Sequence, residues 1–206
     1  MILCDIGNSF FHFYRSGRIW KEPLKRPSIV DISEQILFIS VNEKGTEKLK
    51  FYRPDAIDLA PFLKLDTLYT GLGVDRVAAC MAIEDGVIVD AGSAITVDIM
   101  QKGIHLGGFI LPGLNAYKDC YASISKALKK DIAPNISLHC LPQSTEEAIS
   151  YGTIKSVVLT LEDAVKTKNS YFTGGDGKFF SKFFEKSIYD ETLVFKGMQK
   201  AIEQIR

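Results

Sequence analysis

The chain has 206 residues, of which 46% are hydrophobic and 24% charged, and its 25 basic side chains are balanced by 25 acidic ones. That length is ample for one large domain or two small ones with real cores. A formal charge of zero leaves no basic footprint for nucleic acid, and no apolar run approaches the ~18 residues a membrane-spanning helix requires. Residues 1–6 read as a buried strand ending at the turn Gly7-Asn8-Ser9. Asp5 interrupts that run and no basic segment precedes it, so no signal peptide and a cytoplasmic location are expected. Phe10–Arg15 reads as a second strand, turned by Ser16-Gly17 into a third at Arg18–Lys21, and Ile36–Val41 is another run of strand length. Between 42 and 68 the pattern is mixed, with Pro54 and Pro61 breaking any long element. Asp75–Ile83 has helical composition and follows Gly71 and Gly73, a loop-to-helix junction.

Three strand-like segments come next, Val87–Asp90, Ile95–Met100 and Ile104–Leu111. Gly92-Ser93 and Lys102-Gly103 separate them, and Pro112-Gly113 closes the set. Leu114–Leu128 reads as helix. So does Thr145–Lys168, where Ala148, Ile149, Ile154, Val157, Val158, Leu161 and Val165 recur at helical spacing, behind an imperfect capping box at Ser144 or Thr145. Tyr171–Thr173 is a short strand, Gly174-Gly175 a turn, and Lys178–Glu185 and Val194–Ile205 are helices. Such clustered alternation indicates an α/β fold. Phe179, Phe180, Phe183 and Phe184 have the spacing of one packed helix face. Cys4, Cys80, Cys120 and Cys140 form no CxxC pair and read as thiols in a reducing compartment. His12, His105 and His139 share no metal-ligand spacing, so each reads as a core or surface residue.

One internal echo stands out. Asp5-Ile6-Gly7-Asn8-Ser9 opens the chain, and Asp90-Ala91-Gly92-Ser93-Ala94 recurs in its middle, each between two strand-like runs. A glycine at such a turn lets backbone N–H groups approach an anion, the neighbouring hydroxyl adds a donor, and the aspartate faces a carboxylate toward a metal ion or its waters. A single D-x-G turn is as well explained by an ordinary hairpin. Two in matching context, with a third glycine turn at Thr173-Gly174-Gly175, point to polyphosphate held by several loops. There is no GxxxxGK[ST], so this is not a P-loop protein.

These turns resemble the actin/Hsp70/sugar-kinase superfamily. With DIGNS at 5–9, GVDR at 73–76, DAGSAITVD at 90–98, GGFILPG at 107–113 and Thr173-Gly174-Gly175, all in family order, the chain resembles the type III pantothenate kinases. Ser9 and Ser93 stand where threonine is common, keeping the hydroxyl, and a short segment before GVDR brings Tyr69 close to it. The resemblance implies duplicated actin-like (ribonuclease H-like) halves, 1–72 and 73–206, each a mixed sheet with flanking helices, and ATP in the cleft between them. It implies phosphorylation of pantothenate by ATP, a homodimer, and no nucleic acid or membrane partner. Asp75 is the expected proton acceptor, with a helix cap or first-turn carboxylate as the alternative reading. Asp5, Ile6, Gly7, Asn8, Ser9, Phe10, Phe11, His12, Ser93, Thr173, Gly174 and Gly175 are expected around ATP. Tyr69, Gly73, Val74, Asp75, Arg76, Gly107, Gly108 and Thr145 are expected around pantothenate. Arg76 could instead serve a surface ion pair, and Thr145 a helix cap. Asp5 is expected to face the ATP-bound Mg²⁺, and Asp90 a monovalent cation, K⁺ or NH₄⁺. Competing readings are a related kinase of a sugar or acetate-like substrate, and a non-catalytic nucleotide-binding relative.

Overall fold

The structure, a computed structural model, describes every residue except Arg26, Val30, Asp31, Thr167 and Arg206. In chain order its elements are β1 (Ile2–Ile6), β2 (Phe10–Arg15), β3 (Arg18–Pro23), β4 (Ile36–Ser40), α1 (Glu43–Tyr52), β5 (Ile57–Asp58), a 3₁₀ turn (Ala60–Phe62), β6 (Asp66–Thr67) and α2 (Val74–Met81). Then follow β7 (Gly86–Ala91), β8 (Ala94–Gln101), β9 (Ile104–Pro112), α3 (Leu114–Ile124), a 3₁₀ turn (Lys126–Leu128), α4 (Thr145–Val165), β10 (Ser170–Thr173), α5 (Gly177–Ser181), β11 (Ser187–Tyr189) and α6 (Leu193–Ile205). The fold is α/β, with two mixed sheets and flanking helices. Among the described residues no helix is long and apolar enough to cross a membrane.

Contacts divide the chain into two units, one of residues 1–84, 100–107 and 191–206, the other of residues 85–99 and 108–190. In the first unit the strand order is β3-β2-β1-β4-β5. β1 pairs antiparallel with β2 and parallel with β4, so Asp5 stands opposite His12 on one side and Ile39 on the other. Its core is aromatic and aliphatic: Ile2, Cys4, Ile6, Phe11, Phe13, Ile36, Phe38 and Leu49 are all buried. Alternation on β2 explains this, because Phe11 and Phe13 point inward while Phe10, His12 and Tyr14 are only partly covered. Phe195 of α6 stacks on Tyr14, ring centroids 5.3 Å apart. α6 also lies on α2, where a Cβ at Gly197 would come within 1.7 Å of the Ala78 carbonyl oxygen, so the crossing depends on glycine.

The second unit repeats the pattern. The second sheet runs β6-β9-β8-β7-β10-β11, in which β9-β8-β7-β10-β11 follows the same hairpin-partner, D-x-G strand, parallel-neighbour order as β3-β2-β1-β4-β5. β10 pairs parallel with β7, placing Thr173 beside Asp90. Val87, Val89, Ile95, Val97 and Phe172 form the sheet side of its core, and Ile154, Val157, Val158, Leu161 and Val165 of α4 form the helix side. Apart from Ala148, which is exposed, the residues whose spacing predicts α4 lie on the face it buries.

Some elements differ from the sequence expectation. α1 occupies part of the mixed 42–68 stretch: Asn42 caps it by accepting the Gly45 amide at 2.8 Å, and it ends before Pro54. Only Gly45 and Leu49 are buried on it, so it carries almost no apolar period. α3 stops at Ile124, and the rest of the expected helix is a 3₁₀ turn. α4 stops at Val165, and Thr167 of its expected end lies outside the described residues. α5 is only five residues long, so Phe183 and Phe184 lie beyond it. They still pack on the core, Phe184 stacking on Phe172 at 5.5 Å.

Candidate active site

In the first unit, Asp5 lies near the end of β1, half-buried, and the exposed pair Asn8-Ser9 forms the hairpin tip. The Gly7 amide donates to the Phe10 carbonyl at 3.1 Å, which closes the turn and presents that tip. Ile6 and Phe11 send their side chains into the core, so what they offer a ligand is backbone. His12 is partly covered, and burial together with the Lys21 ammonium holds its imidazole below the ordinary value. Lys21 is its cross-strand neighbour and also sits over the Phe10 ring, 4.8 Å from the centroid.

A second group in this unit surrounds the start of α2. Gly73 caps the helix without a side chain, and Asp75 is in its first turn, where the helix dipole favours a negative charge. The Arg76 amide donates to Asp75 Oδ1 at 2.8 Å. A Cβ at position 73 would stand 2.6 Å from that oxygen, so glycine there leaves the carboxylate its place. Asp75 is therefore a first-turn carboxylate and not the cap itself. Arg76 is 6% exposed, so it is a buried residue and not a surface one. Its guanidinium lies over the Tyr69 ring at 5.0 Å, and Nη1 approaches the Tyr69 hydroxyl at 3.5 Å. Tyr69, Asp75 and Arg76 thus form one cluster. Gly107 belongs to the same unit, on β9.

In the second unit, Asp90 and Thr173 lie side by side at the ends of β7 and β10, with Ser93, Gly174 and Gly175 in the turns that follow. The Gly92 amide donates to the Ala94 carbonyl at 2.9 Å, leaving Ser93 exposed at the tip. Gly174 has φ +82° and is so close to Asp90 that a Cβ would meet Oδ1 at 2.3 Å. The Asp176 amide then donates to the Ala91 carbonyl at 2.9 Å, tying the glycine turn to the D-x-G loop. Burial pushes the Asp176 carboxyl up from the usual range. Thr145 is exposed at the first position of α4, but the cap is Ser144, whose Oγ accepts the Glu147 amide at 3.3 Å. Gly108 lies on β9.

A family model described as type III pantothenate kinase matches residues 30–167. The chain is 53% identical over 204 residues to the type III pantothenate kinase of Helicobacter hepaticus, covering 99% of each. It is 50% identical over 206 residues to that of Wolinella succinogenes, covering 100% of this chain and 98% of the relative. The chain belongs to the type III pantothenate kinase family. A crystal structure from Campylobacter jejuni, described as a conserved Baf family transcriptional activator, superposes with a TM-score of 0.88 at 46% identity, over 100% of this chain and 98% of that one. Distant likenesses speak to fold alone. A 2-dehydro-3-deoxygalactonokinase protein of Sinorhizobium meliloti gives a TM-score of 0.59 at 8% identity, over 99% of this chain and 96% of that one. MreB 5 of Spiroplasma citri, bound to AMPPNP, gives 0.52 at 13%, with the same two coverages. Both carry the actin-like architecture that the repeated strand order indicates.

For the type III pantothenate kinase family, the region matched by the family model holds GVDR, DAGSAITVD and GGFILPG but neither DIGNS nor Thr173-Gly174-Gly175. Those two turns are covered by the full-length relatives. Three nearby residues were not legible as site residues from sequence. Thr67 fell in a stretch without pattern, His105 read as a lone histidine, and Asp176 follows the glycine turn without a motif of its own.

Proposed function

We propose that this chain phosphorylates pantothenate with ATP, the first step toward coenzyme A. The observation that carries the reading is the match to type III pantothenate kinases over 99% of both chains. The start of α2 supplies chemistry that suits it.

Phosphoryl transfer needs positioning, charge stabilisation and somewhere for the hydroxyl proton to go. The primary hydroxyl oxygen of pantothenate attacks the γ-phosphorus of ATP, the bond to the ADP oxygen breaks, and the hydroxyl proton passes to Asp75. The Arg76 amide donates to Oδ1 of that carboxylate and helps hold it in place at the start of α2. Arg76, stacked on Tyr69 with a planar fork of donors, binds the substrate carboxylate. Gly73, Val74, Gly107, Gly108 and Thr145 complete the pantothenate contacts. Asn8 and Ser9 at one hairpin tip, Ser93 at the other, and the turn Thr173-Gly174-Gly175 contact the nucleotide, joined by backbone of Ile6, Gly7, Phe10 and Phe11 and by His12.

The groups expected to face cations are half-buried carboxylates, Asp5 and Asp90, each at a strand end. Such hard oxygen donors suit Mg²⁺ and K⁺ or NH₄⁺, and the Gly174 turn packs closely against the Asp90 carboxylate. Bound there, the cations would neutralise phosphate charge. Family pattern supports a homodimer and a cytoplasmic location, which light scattering and cell fractionation would check.

The decisive test is ADP release from ATP, Mg²⁺ and K⁺ with pantothenate, against a panel of sugars and acetate, and mass identification of the phosphorylated product. Turnover with pantothenate alone is the expected result. Turnover with a sugar or acetate instead, or nucleotide binding without turnover, would overturn it.

A further inference from the structure

β6 is only two residues long, yet it has to deliver Tyr69 to Arg76. A strand that short has too few ladder bonds to fix its own register. Here it pairs parallel with β9, Asp66 opposite Ile104 and Thr67 opposite His105. The Thr67–His105 pair is also joined through side chains, Thr67 Oγ1 lying 2.7 Å from His105 Nδ1. The same hydroxyl accepts the Tyr69 backbone amide at 3.0 Å. His105 is 3% exposed, so the anchor is shielded from solvent. Its ring packs against the Tyr69 ring, centroids 5.9 Å apart, on a residue whose phenol in turn supports the Arg76 guanidinium. Leu68, between the two, is fully exposed and offers no anchorage of its own.

We infer that Thr67 and His105 are positioning residues for pantothenate: they clamp β6 to β9 and thereby hold Tyr69 as the platform that orients Arg76. This rests on the proposed role of Tyr69 and Arg76 in substrate binding. The clamp acts through Tyr69 and Arg76, and not through the residues assigned to the hydroxyl proton or to the nucleotide. Its loss therefore raises the KM for pantothenate and leaves kcat and the KM for ATP nearly unchanged.

Thr67→Val keeps the side-chain size and removes the hydroxyl. One lost hydrogen bond predicts a rise of roughly five- to tenfold in the pantothenate KM. Thr67→Ser, which restores the hydroxyl, returns KM to within about twofold of wild type. Amide exchange at Tyr69, followed by NMR without substrate, accelerates in Thr67→Val and not in Thr67→Ser. Thr67→Ala gives the same comparison if the valine variant does not fold. An unchanged pantothenate KM and an unchanged Tyr69 exchange rate in Thr67→Val overturn the clamp. So does a KM rise matched by Thr67→Ser. Tyr69→Ala separates the two levels: if it raises the pantothenate KM while Thr67→Val does not, only the clamp has failed. If Tyr69→Ala leaves that KM unchanged, the substrate-binding reading has failed and the clamp's purpose falls with it.

Discussion

Gly174 folds so tightly over Asp90 that a Cβ on the glycine would lie 2.3 Å from Asp90 Oδ1 and 2.6 Å from the Ala91 carbonyl oxygen. Both distances are far inside van der Waals contact, and φ of +82° at Gly174 adds backbone strain for any other residue. Gly174→Ala therefore has to move either the carboxylate or the turn. It is expected to lower stability by about 1–3 kcal/mol and to weaken activation by K⁺ if Asp90 serves that ion. Urea unfolding and a KCl titration of activity check the two effects. An unchanged unfolding midpoint would show that the turn has room.

Asp75→Asn separates chemistry from structure at the start of α2. Asparagine keeps an oxygen that can accept the Arg76 amide, so the helix start and the Tyr69–Arg76 stack are retained. What disappears is the proton acceptor. Turnover is expected to fall roughly 10²–10⁴-fold, with ATP binding, measured by calorimetry, unaltered. Near-normal turnover would remove Asp75 from the mechanism.

The turns that hold chemistry are the parts most legible in the sequence, because glycine, aspartate and hydroxyl residues at fixed offsets leave a written pattern. The second D-x-G segment and Thr173-Gly174-Gly175 locate the loops that come together around Asp90, and the first D-x-G segment locates the hairpin tip after β1. Buried strands and α4 are legible too, since their apolar spacing is the face they bury. α1 was hidden because it buries only Gly45 and Leu49, its two aromatics Phe51 and Tyr52 being exposed, and its defining feature is a single capping asparagine. β6 and β11 were hidden because two or three residues cannot show a period. The clamp between Thr67 and His105 joins positions 38 apart, and such a pairing exists only in the register of two strands.

The crossing of α6 over α2 gives a prediction about stability. A Cβ at Gly197 would stand 1.7 Å from the Ala78 carbonyl oxygen and 2.5 Å from its carbon, so alanine cannot be accommodated without separating the helices. Ala201, fully buried one turn later, lies on the same face of α6. Gly197→Ala is expected to destabilise by about 3 kcal/mol through overpacking, despite the better helix propensity of alanine. Because α2 carries Asp75 in its first turn, kcat should fall alongside. Equal unfolding free energies for variant and wild type would show that the helices can part at no cost.

His12 predicts how stability responds to acid. Burial is the larger cause of its depressed imidazole value, and the positive charge of Lys21 on the neighbouring strand acts in the same direction. The folded state therefore prefers the neutral ring. Above the ordinary value of 6.5 the ring is neutral in both states, and the stabilisation is complete. As pH falls below 6.5 the unfolded chain takes up its proton first, and stability declines until the folded ring protonates as well. His12→Gln lacks this titration. The difference in unfolding free energy between wild type and variant, measured without nucleotide, should shrink in favour of the variant between about pH 7 and pH 5. Removing the Lys21 charge with Lys21→Gln should narrow that change, because one of its two causes is gone, while burial keeps the rest. A difference between wild type and His12→Gln that stays constant across the range would mean that the folded ring titrates like a free one, and that the carbon skeleton of His12, rather than its protonation state, is what the β1–β2–β3 ladder depends on.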